Sequence, residues 1–265
     1  MLRTLELFGF EWDDEVVRQS ERTERYSAAL EELRSRGLTF ECSCSRSQLA
    51  DEERYPGHCR ANPLRPGCAT ATRLRIDPFA VEFRDRIQGG FRQDVAAAVG
   101  DIVIRRRDRL FAYVLAVVVD DAAQGVTHVV RGADLLDNTP RQIYLQKLLR
   151  ADHPAYAHVP VLTEPDGRKL AKSSRSVHFS VGSGTGTGAG ASKGAGTANR
   201  PRSGAGGSST PSGAVILQLI QLLELLALAP PRELADASIP EAWAWAMAAW
   251  NIDRVPKGLV LALER

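Results

Sequence analysis

Hydrophobic residues recur at helical spacing in the first part of the chain. Between residues 23 and 36 an apolar position returns every three or four residues, and Gly37 follows as a helix C-cap. The repeating positions are Tyr26, Leu30 and Leu33. This spacing predicts an amphipathic helix over residues 23–36.

The middle of the chain, residues 102–130, is strongly apolar and predicts buried sheet, with or without a packed helix. For the run FAYVLAVVVDD within it, periodicity does not choose between strand and helix. After the polar stretch RGADLLDN, Thr139 is predicted to cap a helix and Pro140 to open it. A strand, a polar loop and a helix in this order are typical of an α/β fold.

The composition changes sharply at residues 181–213, where Gly, Ser, Thr and Ala dominate. Such a segment cannot offset the entropy lost on ordering, so we expect a flexible insertion. Apolar residues then return over residues 215–229 and predict a largely buried helix, and a second helix is expected around EAWAWAMAAW. We therefore expect an α/β domain at 1–180 and a helical domain at 214–265.

The overall composition, 44% hydrophobic and 25% charged, is that of a soluble globular protein. A formal net charge of +2 neither requires nor excludes a nucleic-acid partner. No stretch reaches the roughly 18 apolar residues of a membrane span, and the first residues lack the basic and apolar pattern of a secretion signal. We therefore expect a cytoplasmic protein.

The four cysteines are clustered in one polar segment of the chain. Cys42, Cys44 and Cys59 fall within 18 residues, and Cys68 follows them. In a cytoplasmic protein this clustering favours a metal over disulfides. Three thiolates can bind one tetrahedral zinc, which would also order a segment that is poor in aliphatic residues.

The fourth zinc ligand is open on chemical grounds. His58 and Cys68 rank before Tyr55, because phenolate is a rare zinc ligand. The alternative is that the cysteines are free thiols in a loop, since C-x-C is less diagnostic than a pair of C-x-x-C motifs.

Two lysines stand at the edge of the Gly-rich stretch, in GRKLAKSSRS at residues 167–176. Ammonium groups such as those of Lys169 and Lys172 can neutralise phosphate oxygens as a pyrophosphate leaves, and a mobile loop can close around that transition state. A solvated basic loop is the alternative interpretation of this motif.

Two further residues have the position and chemistry of ligand-binding groups. Tyr113 carries a hydroxyl at the edge of the predicted core, and Arg131 directly follows a predicted strand, where α/β sheets place their ligands. Arginine at this place suits a carboxylate or a phosphate. The adjacent Asp120 and Asp121 are interpreted as structural, since such pairs are more often solvated caps.

The run VVVDDAAQGVTHVVRGADLLDNTPRQ, followed by KLAKS, resembles the catalytic domain of glutamyl-tRNA synthetases. The resemblance is strongest to the short paralogous family, the glutamyl-Q tRNA(Asp) synthetases, and covers residues 1 to about 178 and about 214–257. It implies an α/β fold: a Rossmann-like parallel nucleotide-binding core, a zinc-knuckle insertion at about 38–70, and a small C-terminal helical domain. The spacing of the knuckle favours the short family, as does the end of the chain soon after the helices that follow KLAKS.

The resemblance also implies roles for individual residues. KLAKS stands where the family has its signature lysine loop, so Lys172 is expected to bind ATP and Lys169 to assist the catalytic step. Tyr113 and Arg131 would hold glutamate. Four residues match the family's zinc knuckle, which overturns the chemical ranking of the fourth ligand: Cys42, Cys44, Tyr55 and Cys59.

Members of this family activate glutamate with ATP, and Mg²⁺ is expected with it. They then transfer the glutamate to the queuosine base of tRNA(Asp). The family's first strand and its His-Ile-Gly-His type motif lie upstream of the match to LRTLELFGFEW, so we expect an N-terminally truncated core with impaired activity. Two alternatives are a remnant of a discriminating glutamyl-tRNA synthetase and a non-catalytic, zinc-bearing RNA-binding protein.

Overall fold

The computed structural model of the protein describes residues 2–45, 47–62, 64–163 and 211–262. They form two compact units. The helical unit contains residues 2–14 and 211–255, and the larger unit contains residues 15–163 and 256–262. Because most of the predicted insertion at 181–213 lies outside the described residues, the predicted domain boundaries remain a prediction.

Helices and short strands alternate through the larger unit, whereas the described part of the helical unit contains helices without strands. The α-helices are α1 (Leu2–Leu7), α2 (Thr23–Ser35), α3 (His58–Ala61), α4 (Val95–Ala98), α5 (Tyr113–Ala123), α6 (Thr139–Leu149), α7 (Pro211–Leu225) and α8 (Ile239–Ala249). The strands are β1 (Thr39–Cys42), β2 (Ala71–Leu74), β3 (Ala80–Asp85), β4 (Gly89–Asp94), β5 (Ile102–Arg105), β6 (His128–Gly132), β7 (Ala155–Val159), β8 (Val161–Thr163) and β9 (Val260–Ala262).

The larger unit combines antiparallel and parallel strand pairs. Strands β1, β2 and β5 form an antiparallel sheet in the order β1-β2-β5, and β3 pairs with β4 in an antiparallel hairpin. The parallel pairs are β6 with β7 and β8 with β9. The apolar region at 102–130 is therefore not one sheet, because β5 joins the antiparallel sheet and β6 joins a parallel pair.

Helix α5 contains most of the run FAYVLAVVVDD, for which periodicity did not distinguish a strand from a helix. Its 11 residues exceed the length of an ordinary strand, and they bury one face that includes Leu115 and Val118. Asp120, which is also buried on this helix, accepts hydrogen bonds from Arg22 Nε at 2.5 Å and from the Tyr26 hydroxyl at 2.6 Å. Asp120 is thus structural, as expected, but it is buried and paired rather than solvated.

The core of the larger unit gathers apolar side chains from α2, α5, α6 and the antiparallel strands. Helix α2 confirms the predicted amphipathic segment, and Gly37 after it has a φ of 68°, a left-handed conformation that favours glycine. Fully buried core side chains are Leu33, Leu74, Val95, Ile104, Leu115 and Leu145.

Helix α6 begins at Thr139, one residue earlier than the predicted cap at Thr139 implies. A 3-10 helix at Ala133–Asn138 runs directly into it, and Thr139 already has helical angles, φ −59° and ψ −45°. Pro140 lies in the first turn, as expected. The prediction that Thr139 caps this helix is wrong, because the preceding turn replaces a cap and leaves the Thr139 hydroxyl for other partners.

The helical unit packs α7 and α8 around a separate apolar core that includes Phe8. Ser238 and Glu241 form a capping box at the start of α8, and Trp243 Nε1 donates to the Phe8 carbonyl at 2.6 Å. In the described part of the chain, no helix combines the length and the hydrophobicity that a membrane crossing needs.

Candidate functional site

Three of the four cysteines converge beside the antiparallel sheet. Cys42 ends β1, Cys44 follows it, and Cys59 returns on the short helix α3. Their sulfur atoms all lie within 4.8 Å of one another, and the sulfurs of Cys44 and Cys59 are 3.5 Å apart. A tetrahedral zinc with bonds of about 2.3 Å to sulfur needs sulfur pairs about 3.8 Å apart, so this spacing fits the metal.

The Tyr55 hydroxyl joins the three sulfurs. It lies 3.5 Å from the sulfur of Cys42 and accepts a hydrogen bond from the backbone N–H of Cys59 at 2.9 Å. By contrast, His58 and Cys68 are exposed. The geometry therefore favours the phenol over the two residues that general zinc chemistry ranks first. We call Cys42, Cys44, Tyr55 and Cys59 the cysteine cluster.

The backbone of Tyr55 packs closely against the backbone of Gly100. A Cβ atom on Gly100 would lie 2.5 Å from the Tyr55 carbonyl oxygen, and Gly100 has a φ of +72°, so only glycine fits this position. The Tyr55 N–H donates to the carbonyl of Val99, and the Arg73 guanidinium lies 3.7 Å from the centre of the Tyr55 ring. The phenol is thus fixed by the main fold rather than by its own loop.

The ionisable groups of the cysteine cluster affect each other. Burial, together with hydrogen bonds with Cys59 and Cys42, raises the pKa of Cys44 to about 11. Burial also opposes ionisation of Cys59, yet hydrogen bonds from the Ser43 backbone, Cys44 and Tyr55 lower its pKa to about 7. Cys59 therefore ionises more readily than Cys44.

Arg131 lies at the carboxyl end of β6, where it is in register with His158 on the parallel neighbour β7. Its Nε donates to His158 Nε2 at 3.0 Å. Its Nη2 donates to the Thr139 hydroxyl at 2.8 Å and to Gln142 Oε1 at 2.7 Å. The ring of Tyr156, which shares a face of β7 with His158, lies 5.5 Å from the guanidinium carbon.

His158 is completely buried and pairs with the equally buried Asp85 at the end of β3. Its Nδ1 lies 2.5 Å from Asp85 Oδ2, and Asp85 Oδ1 accepts three backbone N–H groups, from Ile87, Gln88 and His158. Burial lowers the pKa of His158 below its ordinary value despite Asp85. Burial would raise the pKa of Asp85, but the hydrogen bonds hold it below its ordinary value.

These two directions define one protonation state. Asp85 is ionised and His158 is neutral, with its proton on Nδ1 and its lone pair on Nε2 facing Arg131. We call the connected side chains the arginine network: Asp85, Arg131, Thr139, Gln142 and His158.

Tyr113 begins helix α5, and its side chain is half exposed. It lines a cavity of about 440 Å³ together with Asn138 and Arg141. Arg141 has an Nε atom without a hydrogen-bond partner, and burial lowers its pKa. Among the described residues, no hydrogen bond joins Tyr113 to Arg131, the two expected glutamate ligands.

Lys169 and Lys172 lie outside the described residues. The surroundings of Arg131 are formed by residues that the sequence pattern did not indicate as site residues: Asp85, His158 and Gln142. One signal for His158 was present, since a histidine interrupts the otherwise apolar strand AYAHV. Nothing near Asp85 in the sequence indicates that its partner lies 73 residues away.

Comparisons with known proteins identify relatives over nearly the whole chain. The family described as tRNA synthetases class I (E and Q), catalytic domain, matches residues 1–191. Glutamyl-Q tRNA(Asp) synthetase of Ectopseudomonas mendocina is 47% identical over 263 residues, which are 99% of this chain and 79% of the relative. The protein of the same name from Pseudomonas aeruginosa is 45% identical over 267 residues, which are 100% of this chain and 80% of the relative.

Solved structures of glutamate-tRNA synthetases have the same fold. The enzyme from Elizabethkingia anophelis gives a TM-score of 0.65 at 18% identity, over 97% of this chain and 56% of that one. A glutamate tRNA ligase from Elizabethkingia meningosepticum, in complex with its amino acid, gives 0.63 at 17% identity, over 97% and 55%. The chain thus spans slightly more than half of these structures, and at this identity the likeness establishes an α/β Rossmann-like fold alone.

Proposed function

Because this chain belongs to the glutamyl-Q tRNA(Asp) synthetases, within the class I synthetases for glutamate and glutamine, we propose that it activates glutamate with ATP and transfers it to the queuosine base of tRNA(Asp). In the first step, a glutamate carboxylate oxygen attacks the α-phosphorus of ATP, and pyrophosphate leaves. In the second step, the glutamyl group passes to the modified base, and AMP is released. The observation that carries this proposal is the similarity over nearly the whole of this chain.

Arg131 is the proposed anchor of the glutamate carboxylate. It lies at the carboxyl end of a parallel strand, which is where α/β sheets bind ligands, and it is half buried, which strengthens a charge-assisted hydrogen bond. Tyr113 is proposed as the second glutamate ligand, since its hydroxyl borders the cavity beside α5 and α6.

Lys172 and Lys169 are proposed to stabilise the phosphates of ATP, with Mg²⁺ as the expected counter-ion. Their role rests on the sequence motif alone. Positive charge at this place acts mainly when negative charge builds on the leaving pyrophosphate, so it contributes more to turnover than to substrate binding.

The cysteine cluster is proposed to hold one Zn²⁺ on Cys42, Cys44, Tyr55 and Cys59. The spacing of the three sulfurs and the phenol oxygen supports this ligand set. Zn²⁺ would supply a structural crosslink between β1 and α3, and its charge would favour the thiolate and phenolate forms of its ligands.

Glutamate-dependent exchange between ATP and pyrophosphate tests the first step. Relative to the exchange activity of the wild type, we expect a loss of about 100-fold in kcat for Lys172→Ala, with little change in KM for glutamate. Lys193→Ala, in the Gly-rich stretch, is the matched control and should retain wild-type kinetics. No exchange in the wild type would instead favour a non-catalytic RNA-binding role.

Transfer of labelled glutamate tests the second step. The acceptors to compare are tRNA(Asp) with queuosine and the same tRNA without the modification. Labelling of both, or of neither, would contradict the proposed acceptor.

A further inference from the structure

We propose that His158 is a positioning residue for the reaction: together with Asp85 it holds Arg131 so that a single guanidinium nitrogen, Nη1, meets the carboxylate of glutamate. This inference rests on the proposed function, because it takes glutamate as the ligand of Arg131. It adds two buried residues to the machinery and specifies how the arginine contacts its ligand.

The hydrogen bonds of Arg131 leave one nitrogen for a ligand. Nε donates to His158, and the two N–H groups of Nη2 donate to Thr139 and Gln142. Among the described residues, Nη1 makes no hydrogen bond. A guanidinium bound in this way cannot offer the usual two-nitrogen fork to a carboxylate, so the contact must be end-on through Nη1.

The contact between Arg131 and His158 requires the neutral form of the imidazole. A protonated ring would direct an N–H group from Nε2 toward the guanidinium, where it would find another donor instead of an acceptor. Asp85 fixes the required tautomer. Its Oδ2 accepts a hydrogen bond from the protonated Nδ1 of His158, while its Oδ1 accepts three backbone N–H groups.

The strand pairing explains why this histidine can act on Arg131. Arg131 and His158 are register partners on β6 and β7, so both side chains leave the pair on one face. His158 is 0% exposed, and Asp85 is 1% exposed. Neither residue is accessible to a ligand, so any effect of His158 on glutamate must pass through its neighbours: Arg131, and the Thr139 hydroxyl that lies 3.2 Å from His158 Nε2 and itself accepts from Arg131.

Two substitutions test the two nitrogen atoms of the His158 imidazole independently. In His158→Asn, the side-chain amide can still donate to Asp85 from the place of Nδ1, but Arg131 loses its acceptor. In His158→Gln, the longer side chain places its oxygen near the former Nε2 and can accept from Arg131, but Asp85 Oδ2 loses its donor. His128→Asn, at an exposed position of β6, is the matched control.

We expect His158→Asn to raise KM for glutamate by about 10-fold or more, with kcat and KM for ATP changed by less than about threefold. His158→Gln should raise KM for glutamate less than His158→Asn does. Its melting temperature should nevertheless be lower than that of His158→Asn, because Asp85 Oδ2 loses its hydrogen-bond donor. A purely structural histidine predicts the opposite, since losses of affinity would then follow losses of stability. An unchanged KM in His158→Asn, or a KM that follows the melting temperature across both variants, overturns the inference.

Calorimetric titration with glutamate alone distinguishes this inference from the proposed function. If the wild type binds glutamate without catalysing exchange, and His158→Asn binds about 10-fold more weakly, the proposed function fails while the positioning role is supported. If the wild type binds no glutamate, Arg131 has a different ligand and the positioning role fails.

Discussion

The cysteine cluster and the arginine network are two polar groupings of the larger unit that differ in how their members are assembled. Cys42, Cys44, Tyr55 and Cys59 lie within 18 consecutive residues, whereas the arginine network joins positions between 85 and 158. In the cysteine cluster, three thiols and a phenol face one another. In the arginine network, an ionised carboxylate, a neutral imidazole and a guanidinium satisfy one another.

This difference indicates that the two groupings are stabilised in different ways. Close-packed sulfur and phenol groups repel one another once they ionise, so the cysteine cluster depends on an external positive charge. The arginine network carries its own positive and negative charges and depends on the register of β3, β6 and β7. Removing metal should therefore affect the first grouping alone, and removing one buried charge should affect the second alone.

The largest expected effect is the loss of zinc from the cysteine cluster. We predict one zinc per chain in the wild type and almost none in Cys42→Ala, because binding of structural zinc contributes about 10 kcal/mol or more to the order of its site. Elemental analysis measures zinc content, and hydrogen exchange of residues 43–62 measures the order that zinc supplies.

Two further variants complete this experiment. Cys68→Ala, which removes an exposed thiol outside the cluster, should keep its zinc. Tyr55→Phe should weaken zinc binding, since it removes the fourth ligand. Zinc retained in Cys42→Ala would refute the site, and loss in Cys68→Ala but not in Tyr55→Phe would identify the wrong fourth ligand.

The next effect concerns the buried carboxylate of the arginine network. Asp85→Asn should lower the free energy of unfolding by about 3 kcal/mol, because it removes the buried negative charge that four hydrogen bonds stabilise. Denaturant unfolding measures this change. Zinc content should stay at the wild-type level, which separates the two groupings.

Glu82→Gln is the matched control on the same strand, β3. Glu82 is exposed and pairs with exposed Arg92 at 3.2 Å, so its loss should change stability by less than about 0.5 kcal/mol. Equal destabilisation by the two variants would contradict a special role for the buried pair.

The smallest expected effect is a dependence of stability on pH. The pKa of His158 in the folded protein is below its ordinary value of 6.5, so at lower pH the unfolded chain binds a proton that the folded protein excludes. Stability is therefore fully present above about pH 6.5. It decreases as pH falls below this value, by up to about 1.4 kcal/mol per pH unit, until the pKa of the folded state is reached.

Unfolding titrations between pH 5 and pH 8 compare the wild type with His158→Gln, which lacks the titrating ring. The charged groups that act on His158 are Asp85, Arg131 and Asp134, and all are retained in this variant. We expect a smaller loss of stability in the variant between pH 6.5 and pH 5. Parallel curves for the two proteins would show that His158 titrates normally in the folded state.

The sequence by itself determined the features that depend on neighbours along the chain. The spacing of Tyr26, Leu30 and Leu33 specified helix α2, because side chains three or four residues apart share one face of a helix. The concentration of cysteines in a short polar segment indicated where a metal could bind. The run around Arg131 and the KLAKS motif sufficed to recognise the family, since both are contiguous patterns.

Only the tertiary structure decided which distant residues meet. Ligand chemistry alone ranked Tyr55 behind His58 and Cys68, but the contact of its backbone with Gly100 places its phenol beside the sulfurs. The assignment of β5 to an antiparallel sheet likewise depends on β2, since an apolar run pairs equally well with several neighbours.

The arginine network shows the same limit most clearly. Asp85, Arg131 and His158 lie far apart in the sequence. Their contacts depend on the pairing of β6 with β7 and on the position where β3 ends. Burial then selects one charge state, because an unpaired ion inside the core would cost several kcal/mol. The sequence pattern does not specify which strands pair, so the partners of Arg131 can be identified only from the tertiary structure.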